Sequence, residues 1–221
     1  MKMHDETSPY YPIFLNIRGE KCLVVGGGKI ALRKVQALLE CGANVQVVGP
    51  ILCPELRQLA KSGVIQAFQR SYKAEDLQDT LIAIAATDDA KTNESMAAEA
   101  RRQRILINVV DDPQHSDLIA PSYFRRGEVT IAVSTSGRSP ALARKLKSKL
   151  EKDFGVEYAK LAVLAGEVRT ELKQQKIAVD TEAWQEALDL NLLTELLKDG
   201  KIQEAKDTLL KNLKASGKRK R

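Results

Sequence analysis

The sequence predicts an α/β protein, with a parallel sheet in its first half, then a small α+β segment and an α-helical C-terminal domain. Three observations support this prediction. Short apolar runs alternate with helix-like segments as far as Pro113, which is typical of βαβ units. Two of these runs, 81–86 and 105–110, are apolar almost throughout, as expected of strands that are buried on both faces. After residue 157 only helical periodicity remains.

The elements of the first half are separated by glycine, proline and serine turns. A strand over Lys21–Val25 ends at three consecutive glycines, and the helix that follows stops at Cys41-Gly42. Further strands are predicted over 44–48, 64–68, 81–86 and 105–110, and further helices over 55–61 and 92–104.

The pattern changes after Pro113. A strand is predicted over Val129–Val133, and a helix runs from Pro140 to Lys152 because proline suits the first helical position. Three more helices are predicted over 157–176, 181–200 and 201–215. We therefore divide the chain into three domains, 1–113, 114–152 and 153–221, the last with a basic tail at 218–221.

Composition excludes several classes of protein. With 43% apolar residues in 221, the chain can bury a sizeable core and is not a disordered protein. No apolar run approaches the roughly 18–20 residues of a membrane span, and no signal peptide is recognised, so we expect a cytoplasmic protein. The three cysteines are widely spaced, which argues against a disulfide framework or a cysteine zinc site.

The basic excess of the chain is confined to its second half. Residues 1–113 hold 14 Lys/Arg and 14 Asp/Glu, whereas 114–221 hold 21 and 15. Residues 125–152 alone carry eight basic and two acidic side chains. Such clustering indicates an anionic partner, although a solvated helix face is the simpler interpretation, and we favour the simpler one for the tail.

The glycines after the first strand carry the clearest functional signal. Gly26 to Ala31 fits G-x-G-x-x-A between a strand and a helix, the context of a Rossmann-like dinucleotide site. Gly26 allows the tight turn, and Gly28 lets backbone N–H groups approach a diphosphate. Lys29 and Ile30 then contribute the first N–H groups of the helix, where the partial positive charge favours phosphate.

The end of the second predicted strand departs from the usual dinucleotide pattern. An acidic residue that binds the adenosine ribose is expected there, but the sequence continues with Gly49-Pro50-Ile51. We therefore expect Pro50 and Ile51 to contact the ribose through backbone groups. No arginine follows the strand to receive a 2′-phosphate, so the sequence favours NAD over NADP.

Polar residues follow two further strands. Thr87 comes after 81–86 and Asp111 comes after 105–110. Ligands of open α/β sheets bind beyond the carboxyl ends of the strands. We expect Thr87 to hydrogen-bond the cofactor, and Asp111 to face its nicotinamide end and accept a proton.

The neighbouring titratable residues have simpler interpretations. Asp88 or Asp89 is expected to cap the next helix, and Asp112 to shape a turn. His115 could bind a metal or move protons, but an isolated loop histidine usually does neither, and no metal site is predicted.

The basic segment of the second half combines hydroxyl groups, a helix start and arginines, a combination that suits carboxylate or phosphate groups. The residues predicted to bind an anionic substrate are Ser134, Thr135, Ser136, Arg138 and Arg144. Nucleic acid is the competing ligand, but aromatic residues make up only 5% of the chain, which weakens a base-stacking surface. Leu142, Leu146 and Leu150 form an apolar stripe suited to packing or to a subunit interface.

Several motifs occur in an order that is more specific than any one of them. They are Tyr11-Pro12-Ile13-Phe14, Val24-Val25-Gly26-Gly27-Gly28, Ala83 to Asp89, Asn108-Val109-Val110-Asp111, Ala120-Pro121-Ser122 and Ser134 to Pro140. Together they resemble the precorrin-2 dehydrogenase / sirohydrochlorin ferrochelatase family, which includes the N-terminal module of siroheme synthase.

This resemblance implies a function. The first domain would bind NAD⁺, and the enzyme would oxidise precorrin-2 to sirohydrochlorin on the route to siroheme or related tetrapyrroles. Asp111 matches the aspartate regarded as catalytic in the family. The family is typically a homodimer with a cleft between subunits, which assigns dimerisation and substrate binding to 114–152. The many carboxylates of the substrate would account for the basic segment.

Two alternatives remain. Some members of the family also insert Fe²⁺ into sirohydrochlorin, and the same carboxylate could accept the protons that the metal displaces. The other alternative is a non-catalytic module that senses NAD(H), which would need neither Asp111 nor the hydroxyl-arginine turn.

Overall fold

The computed structural model of the chain describes residues 9–218, and the side chains of residues 9–214. These residues form two compact units, which divide between Ala120 and Pro121. The finer division at residues 113 and 153 stays a prediction. Most of the basic tail, at 219–221, lies outside the described residues.

The first unit alternates strands and helices as predicted. Its strands are β1 (Lys21–Val25), β2 (Asn44–Val48), β3 (Gln66–Phe68), β4 (Ile82–Ala85) and β5 (Leu106–Val109). Its helices are α1 (Lys29–Glu40), α2 (Pro54–Lys61) and α3 (Ala90–Arg102), with a short 3₁₀ helix at Ala74–Leu77 that the sequence did not predict.

The five strands form one parallel sheet in the order β3-β2-β1-β4-β5. The register pairs Val25 of β1 with Val48 of β2 and with Ala85 of β4, and Ala85 in turn with Val109 of β5. The carboxyl ends of four strands therefore meet at one edge, and the predicted Rossmann-like class is confirmed.

Each face of the sheet has its own apolar core because strand side chains alternate. Val24 belongs to the cluster formed with α1 and α2, and its neighbour Val25 to the cluster formed with α3. This two-sided burial explains why residues 81–86 and 105–110, which contain β4 and β5, are apolar almost throughout.

The second unit begins with an antiparallel hairpin of β6 (Ser122–Arg126) and β7 (Val129–Val133). Strand β6 was not predicted, because its letters Ser-Tyr-Phe-Arg-Arg place two charges at its end. Helices follow as α4 (Pro140–Asp153), α5 (Val156–Gln174), α6 (Thr181–Ala187), α7 (Leu190–Lys198) and α8 (Ile202–Lys218). The last four share an apolar core, which includes Leu164, Leu193 and Leu209.

The prediction of one continuous helix over 181–200 is wrong. Leu188 has a non-helical ψ of 73°, which ends α6, and α7 begins anew after Asp189. The carboxylate of Asp189 accepts a hydrogen bond from the backbone N–H of Leu192 at 3.1 Å, which is a helix N-cap. The four-residue spacing of Trp184, Leu188 and Leu192 concealed this cap.

In the described part of the chain, no helix is both long enough and apolar enough to cross a membrane.

Candidate functional site

The turn between β1 and α1, called the glycine corner below, packs closely against the residues that follow β2 and β4. Gly26 has a φ of +133°, a conformation that favours glycine, and a side chain there would overlap the backbone carbonyl of Ala86. A side chain at Gly27 would overlap the carbonyl of Ile51 in the same way. The backbone N–H of Gly26 donates to Val48 O at 2.8 Å, and that of Cys53 donates to Gly27 O at 2.8 Å.

Gly27 is a site residue that sequence reasoning missed. The G-x-G pattern leaves its middle position free, but here that position makes the closest approach to the loop after β2. The run of three glycines was the available signal.

The third glycine faces open space. A Cβ at Gly28 would meet no atom within 4 Å, and Gly28, Lys29 and Ile30 are all exposed. Gly28 is the N-cap of α1 without a side-chain cap, and the first turn carries no acidic residue. The start of this helix therefore offers backbone N–H groups and the positive end of the helix dipole to an anion from solvent.

The loop after β2 borders this opening. Pro50 and Ile51 are exposed, Ile51 to 81%, and the backbone N–H of Gly49 donates to Phe68 O of β3 at 3.1 Å. The arrangement leaves an apolar side chain and backbone groups beside the glycine corner. It matches the place where ribose contacts were predicted, and those contacts stay a prediction.

Thr87 follows β4 at the same edge, but its hydroxyl already has partners within the loop. Its Oγ1 lies 2.7 Å from Oδ1 of Asn93, to which it donates, and it accepts from the backbone N–H of Asp89 at 3.2 Å. Asn93 Nδ2 in turn donates to Thr87 O at 3.0 Å. Thr87 thus orders the start of α3, and its contact with a cofactor stays a prediction.

Asp111 lies two residues beyond β5. Its φ of +59° places it in the left-handed region, and its side chain is exposed. The backbone N–H of Val110 donates to Ala85 O at 2.9 Å, which extends the β4–β5 pairing up to the residue before Asp111. Asp111 therefore lies at the carboxyl end of β5, on the same edge of the sheet as the turn between β1 and α1.

The simpler interpretations of the neighbouring acids agree with the structure. Asp89 caps α3 by accepting from the backbone N–H of Lys91 at 3.2 Å. Asp112 closes a turn, with its Oδ2 2.6 Å from Nδ1 of His115 and its Oδ1 3.2 Å from the His115 backbone nitrogen. Burial would raise the pKa of Asp112, but these hydrogen bonds outweigh it and lower that pKa.

The predicted substrate residues belong to the second unit. The hydroxyls of Ser134 and Thr135 accept from the backbone N–H groups of Ser136 and Ser139, each at 3.0 Å, which shapes the turn before α4. Ser136 has a φ of +53°. Arg138 and Arg144 are exposed at this turn and in the first turns of α4, so their guanidinium groups face solvent.

The apolar stripe of α4 is largely uncovered within its unit. Leu142 is 49% exposed and Leu146 is 41% exposed, whereas the neighbouring Ala143 is buried. Among the described residues no group of three or more His, Cys, Asp or Glu side chains is placed to hold a metal ion.

Comparison with known proteins gives two family matches. A model described as putative NAD(P)-binding matches residues 13–122, and one described as sirohaem biosynthesis protein central matches 126–152. Both matches lie in the segments whose motifs resemble the precorrin-2 dehydrogenase / sirohydrochlorin ferrochelatase family. The resemblance derived from the order of the sequence motifs is thereby confirmed.

Curated relatives and a solved structure agree with this resemblance. The siroheme synthase of Nitrosococcus oceani is 40% identical over 202 residues, which are 90% of this chain and 43% of that protein. The siroheme synthase of Nitrosomonas europaea is 40% identical over 210 residues, which are 94% and 44%. The chain thus spans less than half the length of these relatives. The structure of SirC, a precorrin-2 dehydrogenase, superposes with a TM-score of 0.67 at 25% identity, covering 93% of this chain and all of that one.

Substitution of Gly28 should separate cofactor binding from folding in this protein. Gly28→Asp should keep the wild-type melting temperature, since the site is open and aspartate is a good N-cap. Its charge should weaken NAD⁺ binding by about tenfold or more through repulsion of the diphosphate. Isothermal titration calorimetry and thermal unfolding measure the two effects.

Two variants serve as controls. Gly28→Asn has the shape of aspartate without its charge and should lose much less affinity, whereas Gly27→Ala should lower the melting temperature because of its overlap with Ile51. An unchanged dissociation constant for Gly28→Asp would contradict the placement of the diphosphate.

Proposed function

We propose that this protein oxidises precorrin-2 to sirohydrochlorin with NAD⁺ as the hydride acceptor and Asp111 as the general base. The observation that carries the proposal is the open start of α1 at Gly28, on the same sheet edge as the exposed carboxylate of Asp111. The likeness to SirC, named as a precorrin-2 dehydrogenase, and to siroheme synthases supports the choice of substrate.

The start of α1 and the loops beside it form a surface that could bind a dinucleotide. Backbone N–H groups of Gly28, Lys29 and Ile30 would hold the diphosphate, because they lie exposed at the positive end of α1. Pro50 and Ile51 would contact the adenosine ribose. Thr87 would lie beside the part of the cofactor that passes the end of β4. When bound, NAD⁺ supplies the acceptor for a hydride from the substrate.

Asp111 would complete the oxidation. Loss of a hydride and a proton from precorrin-2 leaves a new double bond in sirohydrochlorin, so one protein group must take the proton. An exposed carboxylate can accept that proton and then release it to water. Asp111 has a left-handed backbone conformation, with a φ of +59°, and residues in such sparsely populated conformations cluster at functional sites.

The second unit would bind the substrate. Precorrin-2 is a polycarboxylate, and exposed Arg138 and Arg144 beside the turn at Ser134–Ser136 are groups that pair with carboxylates. The exposed stripe of Leu142 and Leu146 supports a homodimer, in which this apolar surface would be covered. We propose a cytoplasmic enzyme, with neither a membrane nor nucleic acid as its partner.

The charge balance beyond β3 supports NAD over NADP. Arg70 lies two residues beyond the end of β3, next to the end of β2, where a 2′-phosphate would need a cation. Its guanidinium donates to Asp76 Oδ2 at 2.8 Å and to Oδ1 at 2.5 Å. Asp76 is buried, so this carboxylate neutralises Arg70 and would oppose a second negative charge.

Wild-type protein should therefore bind NAD⁺ more tightly than NADP⁺, by about tenfold or more. Calorimetric titration with each dinucleotide, at the same ionic strength, measures the ratio. Equal affinities, or tighter binding of NADP⁺, would overturn this assignment of the cofactor.

Asp111→Asn should lower the rate of precorrin-2 oxidation by about 100-fold or more, since the amide cannot accept the proton. Its NAD⁺ dissociation constant should stay at the wild-type value. Anaerobic stopped-flow spectroscopy, following NADH formation and the tetrapyrrole spectrum together, measures the loss. Asp112→Asn is the matched control because Asp112 pairs with His115, and wild-type turnover by Asp111→Asn would refute the role of Asp111.

A further inference from the structure

The chain turns sharply after β5, and Asp111 lies within that turn. The backbone N–H of Asp112 donates to Val109 O at 3.2 Å, which closes a four-residue turn from Val109 to Asp112. Asp111 is the third residue of the turn, and its φ of +59° is the conformation that glycine or asparagine usually supplies at this position of a type II turn. For aspartate this conformation costs free energy relative to extended backbone, so contacts around the turn must offset the cost.

A buried hydroxyl joins the two ends of this turn. Ser116 is 4% exposed, and its Oγ accepts a hydrogen bond from the backbone N–H of Val109 at 2.9 Å. The same oxygen lies 2.7 Å from Asp112 O and 3.1 Å from Val109 O. A hydroxyl has one hydrogen, and Asp112 O is both the closer acceptor and the one at the far end of the turn. Ser116 therefore bonds the first and the last residue of the turn, with Asp111 between them.

These bonds take the place of strand pairing on the outer side of β5. In the sheet that the described residues form, β5 is an edge strand, and its outer backbone groups face no further strand. Ser116 Oγ accepts from Val109 there, and the backbone N–H of Asp117 donates to Ile107 O at 2.8 Å. Removal of the hydroxyl would take this hydrogen bond from the Val109 N–H.

Other contacts anchor the segment on both sides of Ser116. The Nδ2 of Asn108, a side chain that is 7% exposed, donates to Leu118 O at 3.1 Å. Arg101 of α3 donates to Gln114 O at 3.0 Å and to Asp117 Oδ1 at 3.3 Å. The hydroxyl therefore belongs to a segment that is itself fixed to β5 and α3, and it can hold the turn in one position.

We propose that Ser116 is a positioning residue for the dehydrogenation proposed above: its buried hydroxyl holds both ends of the turn and keeps Asp111 in the left-handed conformation from which the carboxylate accepts the substrate proton. The inference rests on that proposed function. Because the Asp111 side chain is exposed, the backbone of the turn sets the direction in which the carboxylate leaves the chain. A displacement of about 1 Å between reacting groups can lower a rate by about 100-fold.

The test is a double-mutant cycle of Ser116→Ala and Asp111→Asn, with Thr80→Val as the matched control. Thr80 is also buried, at 7% exposed, but it precedes β4 at the amino end of that strand, away from Asp111. The readouts are the melting temperature, the NAD⁺ dissociation constant, the KM for precorrin-2, and the rate of oxidation in a single turnover at saturating NAD⁺.

Ser116→Ala should lower the single-turnover rate by about tenfold or more, with the NAD⁺ dissociation constant and the KM within about twofold of wild type. In the Asp111→Asn protein the same substitution should change the rate by less than about twofold, because Ser116 acts through the carboxylate that is already removed. Thr80→Val should keep the wild-type rate even where its melting temperature falls.

A wild-type rate in Ser116→Ala would overturn the proposal, as would losses that multiply in the double variant, since a merely structural role would act independently of Asp111. If Ser116→Ala fails to fold, Ser116→Cys takes its place under the same two criteria, because a thiol is only a weak hydrogen-bond donor and acceptor.

Backbone NMR without substrate separates this inference from the proposed function. In Ser116→Ala, the HN–Hα coupling and the intraresidue NOE of Asp111 should lose the values typical of a positive φ, and the Val109 amide should exchange with solvent about tenfold faster or more. These changes would support the role of Ser116 even if the wild-type protein failed to oxidise precorrin-2, a failure that would contradict the proposed function. A positive φ at Asp111 together with unchanged Val109 exchange would refute the role even if the wild-type protein were active.

Discussion

The close approach of the first two glycines to their neighbouring loops is the constraint on which the rest of the site depends. Because Gly26 lies against Ala86 and Gly27 against Ile51, the corner between β1 and α1 is fixed on both sides by backbone atoms. No larger residue fits at either position without moving β4 or the loop after β2. The start of α1 is thereby held at the open edge of the sheet, with Gly28 facing solvent.

Parallel pairing then determines what else lies at this edge. The register of β1, β4 and β5 brings the residues after each strand to the same side of the sheet. The positive end of the α1 dipole and the first backbone N–H groups of α1 lie beyond the end of β1, while the Asp111 carboxylate lies beyond the end of β5. A dinucleotide that spans these two strand ends would have its diphosphate at the end of β1 and its nicotinamide near the end of β5.

Local signals made much of this architecture predictable from sequence. Continuous apolar runs identified β4 and β5, the three glycines identified the turn between β1 and α1, and Asp89 was recognised as a possible cap. The sequence failed where tertiary contacts decide the outcome. Leucine spacing at 181–200 hid the break before α7, and nothing local showed that Gly27 touches Ile51.

The same limit applies to the hydrogen bond between Lys34 of α1 and Asn108 of β5. Lys34 and Asn108 are 74 residues apart, and each is unremarkable in its own segment, so only the fold reveals their hydrogen bond. The hydrogen bonds of Thr87 with Asn93 and Asp89 are likewise visible only in the structure, and the contact of Thr87 with a cofactor stays a prediction.

A crystal structure of the protein with NAD⁺ tests the central claim most directly. The account predicts diphosphate oxygens within about 3.2 Å of backbone nitrogens in the first turn of α1, with the nicotinamide on the β5 side near Asp111. A diphosphate bound away from Gly28, or a nicotinamide lying over Ile51 at the β2 side, would contradict it.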